Sequence, residues 1–121
     1  REVPRDEPGV IELILGPKPK LKIANDSLME FRSGDSIRVA LLEAILGETD
    51  PFCGEAELTR AVGEVYRQGS EAKKLKPRSL SATYSKVAEE LATRYQRAVL
   101  DSKDGVYGLL SGFVGKVEEG A

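Results

Sequence analysis

Histidine is absent from the 121 residues, and cysteine occurs once, at position 53. Without histidine the chain lacks the usual general base and the commonest transition-metal ligand. A Cys–His nucleophile pair is impossible, and a structural zinc site lacks its ligands. A lone Cys53 closes no disulfide within the chain, and it reads as a small buried hydrophobe. Neither G-x-x-x-x-G-K-[ST] nor G-x-G-x-x-G occurs, so no phosphate-cradling loop is legible. No apolar run approaches the ~20 residues of a membrane span, and no apolar signal segment opens the chain. Two carboxylate pairs, Glu55/Glu57 and Glu89/Glu90, stand in polar surroundings and read as solvated faces. The expectation is a cytoplasmic protein that is not an enzyme, with no catalytic residues, no metal site, no cofactor and no membrane partner. The opening Arg1-Glu2-Val3-Pro4 lacks Met and reads as part of a longer protein or as a processed chain.

What is present is ordinary in amount and uneven in distribution. Hydrophobic residues make up 40% and charged residues 31%, which suits one domain with a modest core. The net charge of −2 conceals an asymmetry: residues 67–103 hold nine Lys or Arg against four Asp or Glu, whereas residues 1–66 hold eight against thirteen. A basic segment inside an acidic chain suggests an anionic partner for that segment; the plainer reading is a cluster of solvated lysines.

In chain order, residues 1–9 mix charge with Pro4, Pro8 and Gly9 and read as a tail or linker. Val10 to Leu15 is a β-branched apolar run closed by Gly16-Pro17. Lys20 to Ala24 alternates, Asn25-Asp26-Ser27 is turn chemistry, and Leu28 to Phe31 alternates again. These read as an antiparallel meander of three short strands, which needs a helix on its face. Ser33 to Ser36 supplies N-cap residues for a helix over Ile37–Leu46 that ends at Gly47, and its breadth of apolar positions marks it as the central core helix. After a loop at 48–53, Gly54 leads into a second helix that Gly69-Ser70 stops. Residues 67–76 are a polar connection bearing Lys73, Lys74 and Lys76.

The third helix opens at Pro77, where the missing N–H costs nothing, and runs to about Tyr95. Leu80, Tyr84, Val87, Ala88, Leu91 and Tyr95 recur at helical spacing and need burial. The opposite side carries Arg78, Ala82, Ser85 and Lys86. Small residues flanked by long cations let a helix lie deep in a DNA groove, with donors for base edges and phosphates. An ordinary surface helix of a small domain is the bland alternative. Arg97 to Leu100 then reads as a strand, Asp101 to Gly105 as a hairpin turn with the Asp-Gly signal, and Val106 to Leu110 as the returning strand. Residues 111–121 are small and acidic and read as a C-terminal tail.

This order of elements resembles the winged helix-turn-helix DNA-binding domain of OmpR/PhoB-type response regulators, closest to the branch found in SARP-type transcriptional activators. Ile11-Glu12-Leu13-Ile14-Leu15-Gly16-Pro17 resembles that branch's LxLLGP first strand. Leu28-Met29-Glu30-Phe31 and Ile37 to Leu46 resemble its strand and core helix, and Glu55-Ala56-Glu57-Leu58 the start of its positioning helix. Tyr84-Ser85-Lys86-Val87 falls on the IsrL of its recognition helix, and Gly105-Val106-Tyr107-Gly108-Leu109 resembles the GxGYrL wing strand. Three departures stand out: Ala88-Glu89-Glu90-Leu91 replaces a basic RkkL, the GxGY motif is reduced to Gly105-Val106-Tyr107, and the 67–76 connection is long.

The resemblance covers residues 10–110 and implies an α+β winged helix-turn-helix that binds double-stranded DNA in a transcriptional regulator. It assigns the major groove to Arg78, Ser79, Ala82, Ser85 and Lys86 of the recognition helix at about 77–95, and a neighbouring contact to Lys103 on the wing near 101–106. Lys73, Lys74 and Lys76 would then clamp phosphates. It admits RNA polymerase as a partner of residues 67–76, and a homodimer on DNA. A winged helix that binds protein rather than DNA is the alternative, favoured by the pI of ≈ 5.3 and by Glu89-Glu90.

Overall fold

The structure is a computed structural model that describes residues 9–24, 26–32, 36–48, 50–67, 77–101, 103 and 105–120, with the side chains of 26–28, 36, 66, 67 and 77–79 outside that description. Among these residues the elements run β1 (Gly9–Leu15), β2 (Lys20–Ile23), β3 (Asp26–Glu30), α1 (Ser36–Leu46), β4 (Phe52–Cys53), α2 (Glu55–Arg67), α3 (Pro77–Tyr95), β5 (Val106–Tyr107) and β6 (Phe113–Glu119). The fold is α+β, with a four-stranded mixed sheet in the order β3-β2-β1-β6 and a small antiparallel pair β4-β5.

The first three strands form the meander that alternation predicts. Ile11, Leu13, Leu21 and Ile23 point to one face and are buried, while Glu12 and Lys22 point away. The β2–β3 ladder carries a bulge between Leu21 and Lys22, and Asp26 and Ser27, expected in the turn, pair with Ile23 and Lys22 instead. Helix α1 packs on the buried face. Ala40, Leu41, Leu42, Ala44, Ile45 and Leu46 are all buried, so this helix is wrapped on most of its circumference by the sheet, α2 and α3. Leu58 and Val62 of α2 and Leu80, Tyr84, Val87 and Leu91 of α3 complete the core.

Three expectations need correction. Residues 111–121 are not a tail, because Phe113 to Glu119 form β6, which lies parallel to β1 from the pair Gly9–Phe113 to the pair Leu15–Glu119. Gly9 accordingly belongs to β1 and not to a linker. The inward positions of β6 are Phe113, Gly115 and Val117; Phe113 stacks edge-on against Tyr95 and lies under the Arg97 guanidinium, 5.2 Å from the ring centre.

The hairpin, second, is narrower than its sequence suggests. Its legs meet in a single bridge, Leu100–Leu109, flanked by the bonds Leu110 N–H to the Val99 carbonyl and Asp101 N–H to the Gly108 carbonyl. The returning strand pairs instead with β4, as Phe52–Tyr107 and Cys53–Val106. Close approach decides this, since a side chain at Gly108 would meet Pro51 at 2.8 Å.

Third, Cys53 is exposed, because β4 alternates and its partner position, Phe52, takes the inward side. The Glu57 carboxylate accepts the Cys53 N–H at 3.0 Å, which ties β4 to the first turn of α2.

Helix α3 ends without glycine. Gln96 takes φ of 61°, and Arg97 N–H donates to the Ala92 carbonyl at 3.1 Å, the backbone pattern of a Schellman cap. A side chain at left-handed φ costs about 1 kcal/mol. Gln96→Gly is therefore expected to raise stability by about 0.5 kcal/mol, read as a higher urea midpoint at unchanged slope; a lower midpoint would contradict this geometry.

Candidate nucleic-acid interface

The exposed face of α3 follows directly from its period. With Leu80, Tyr84, Val87 and Leu91 turned inward, Ala82, Ser85, Lys86 and Glu89 are exposed. The backbone places position 78 one turn before Ala82 on the same stripe. The side chains of Arg78 and Ser79 lie outside the described residues, as do Lys73, Lys74 and Lys76 entirely. Lys103 is exposed at the tip of the 97–110 hairpin. Its N–H donates to the Asp101 carboxylate at 2.8 Å, an Asx turn that, with Gly105 at φ 74°, turns the chain back.

The helix and the hairpin tip face each other across a groove of about 380 Å³ lined by Ser81, Ser85, Glu89, Lys103 and Val106. Of the nine residues expected at a site, the structure therefore brings Ser85 and Lys103 to one groove, with Ala82 and Lys86 exposed on the same helix. Burial leaves the near side of Tyr84 as the groove's floor.

Tyr84 was expected only as core, and it is also the hinge pin of this arrangement. Its hydroxyl donates to the Asp101 carbonyl at 2.8 Å and accepts the Gly108 N–H at 3.0 Å, with the Gly108 carbonyl 3.2 Å away. It thus bonds backbone on both legs of the hairpin, and its ring meets Tyr107 edge-on at 4.8 Å. Burial pushes the phenol up to about 12, against which the Gly108 hydrogen bond works. The periodic pattern signals burial here, but no local pattern signals the hydroxyl's partners.

The acid on the later turns of α3 divides in two. Glu90 is not a solvated carboxylate as expected. It meets Arg38 of α1 at 3.4 Å and Arg94 at 3.4 Å one turn on, so it faces α1 and its charge is paired. Glu89 remains exposed on the groove side. Elsewhere, burial and then the Glu119 carboxylate push the Glu43 carboxyl up from its ordinary value. Among the described residues no three His, Cys, Asp or Glu side chains group as a metal site would require, and no helix is long and apolar enough to cross a membrane. No protein-family model matches the chain, and neither a curated protein nor a solved structure matches it.

Proposed function

We propose that this chain is the DNA-binding domain of a transcriptional regulator, a winged helix-turn-helix in which α2, residues 68–76 and α3 form the helix-turn-helix and residues 97–110, braced by β4, form the wing. The observation that carries this reading is the exposed Ala82–Ser85–Lys86 stripe of α3 beside Lys103 at the hairpin tip. A helix with small residues on its outer face fits the ~12 Å major groove, while a hairpin alongside it reaches the neighbouring backbone. Arg78 and Ser79 enter the groove from the first turn, and Lys73, Lys74 and Lys76 meet phosphates. Pairing of Glu90 with Arg38 and Arg94 removes one of the two acidic charges that would oppose this docking. Glu89 sets its limit: the helix leaves the groove before its fourth turn. Residues 67–76 are also where RNA polymerase would be contacted in this reading.

Selection from a random duplex library, followed by a salt titration on the winning sequence, tests it. A motif is expected to emerge. Lys86→Ala and Lys103→Ala are each expected to lower the slope of log K against log salt by about 0.9, the share of one phosphate, without changing the motif. Arg78→Ala is expected to relax preference at one base. Absence of enrichment together with absence of low-salt binding would sink the proposal and leave the second reading, a protein-binding winged helix, which the exposed Glu89 on the same face favours.

A further inference from the structure

We propose that the outer edge of β6 is a docking surface for a second copy of this chain, in an antiparallel pairing centred on Val117. Strand β6 closes one side of the sheet, and no described residue pairs with its other edge. The hydrogen bonds Gly9 N–H to the Gly112 carbonyl and Gly120 N–H to the Leu15 carbonyl show that the even-numbered positions spend their backbone groups on β1. By the two-residue period of a strand, the N–H and carbonyl groups of Gly115, Val117 and Glu119 point outward from the sheet. A seven-residue edge of this kind is a template for another strand unless something guards it.

The side chains select both the occupant and the register. Only the odd positions can exchange backbone bonds across this edge, so an antiparallel partner must set odd against odd. With Val117 opposite Val117 of the second copy, Gly115 lies opposite Glu119 and the outward groups meet in hydrogen-bonded pairs. Lys116 then stands opposite Glu118 of the second copy, and Glu118 opposite its Lys116. These are the closely spaced, non-hydrogen-bonded positions, with Cα atoms ~4.5 Å apart, where cross-strand charges interact best. Both side chains are exposed on the face away from α1, where Glu12 of β1 stands in register beside Lys116. Val114, among the described residues the one large apolar side chain that is strongly exposed, at 48%, comes to lie over Gly120, which has no side chain to obstruct it. Centring the pair on Lys116 or Glu118 instead sets like charges against each other, and centring it on Gly115 leaves Lys116 opposite Val114. The edge is thus self-complementary in one register, which is the signature of a two-fold pairing with itself. It joins two four-stranded sheets into one continuous sheet.

The proposal is independent of DNA binding, and its test contains no DNA. Sedimentation of the full chain over a concentration series at low salt is expected to show a monomer–dimer equilibrium. Lys116→Glu and Glu118→Lys each turn both opposite-charge pairs into like-charge pairs, and each is expected to weaken dimerisation at least about tenfold. The double variant Lys116→Glu/Glu118→Lys restores opposite charges and is expected to recover the wild-type constant. Exposure of both side chains keeps all three variants folded, which circular dichroism verifies. A wild type that stays monomeric at every concentration would overturn the proposal. So would a dimer indifferent to the single swaps, or one that the double variant fails to restore.

Discussion

Gly115→Val is expected to lower the stability of the chain by about 3 kcal/mol, a fall in melting temperature of about 10 °C. An ideal Cβ at position 115 would lie 2.8 Å from both the Cα and the carbonyl oxygen of Leu46. Those atoms belong to the last turn of α1, so no side-chain rotation relieves the clash. Either β6 lifts from α1 or the end of α1 bends, and each response opens the seam where Val117 and Phe113 pack on the core. The effect is steric rather than conformational, because Gly115 sits in a strand conformation that any residue adopts. Val114→Thr, one residue away on the solvent side, is the control and should change stability by less than about 0.5 kcal/mol. Urea unfolding of the two variants at low protein concentration separates the outcomes. Equal midpoints would mean that β6 does not lie on α1.

Tyr84→Phe is expected to cost about 2 kcal/mol although it removes one oxygen atom. The lost hydroxyl leaves the buried Gly108 N–H without its acceptor and the Asp101 carbonyl without its donor. A buried donor stripped of its partner costs more than a hydrogen bond gains on average, because its desolvation is no longer offset. The damage is local in its first consequence. The two legs of the hairpin keep their bridge at Leu100–Leu109 but lose their tether to α3, so the hairpin tip should exchange its amide hydrogens faster while the α1 amides do not.

The same hydroxyl supplies a pH signature. Its pKa rises from an ordinary value of 10 in the unfolded chain to about 12 in the folded one. The neutral phenol is therefore the form that folding favours. Below pH 10 the two states hold the same proton and the contribution is complete. Between pH 10 and 12 the unfolded chain releases its proton first, so the contribution falls as pH rises. The gap in stability between wild type and Tyr84→Phe should narrow across that interval. A gap that stays constant from pH 8 to 12 would show that the Tyr84 hydroxyl is not held as described.

The elements that a short window of sequence can specify were legible in advance. Pro77 and the Leu80–Tyr84–Val87–Leu91 stripe place α3 and its outward face, and that face is the part of the candidate interface that survives unchanged. The apolar run Val10–Leu15 and the alternation in Lys20–Ala24 likewise place β1 and β2. What was not legible depends on partners far along the chain. Strand β4 is two residues long and exists because Phe52 and Cys53 meet Tyr107 and Val106. Strand β6 reads as a tail because one of its inward positions is glycine and two of its outward ones, Lys116 and Glu118, are charged. Its reason for being a strand is β1, roughly a hundred residues earlier, and no local pattern encodes a parallel partner at that distance. Glu90 resembles its neighbour Glu89 in sequence, and only the packing of α3 against α1 sends one to Arg38 and the other to the groove. The role of Tyr84 as tether was hidden for the same reason.

The parallel register of β1 and β6 also decides how this chain bears load. Gly9 pairs with Phe113 and Leu15 with Glu119, so the chain enters the ladder at one end and leaves it at the other. Tension applied between residues 9 and 119 therefore runs along the strands and across every bond of that ladder at once. The bonds share the force in shear instead of opening one after another like a zip. The seam that closes the fold is also its mechanical clamp, and the helices, groove and hairpin lie outside the line of pull.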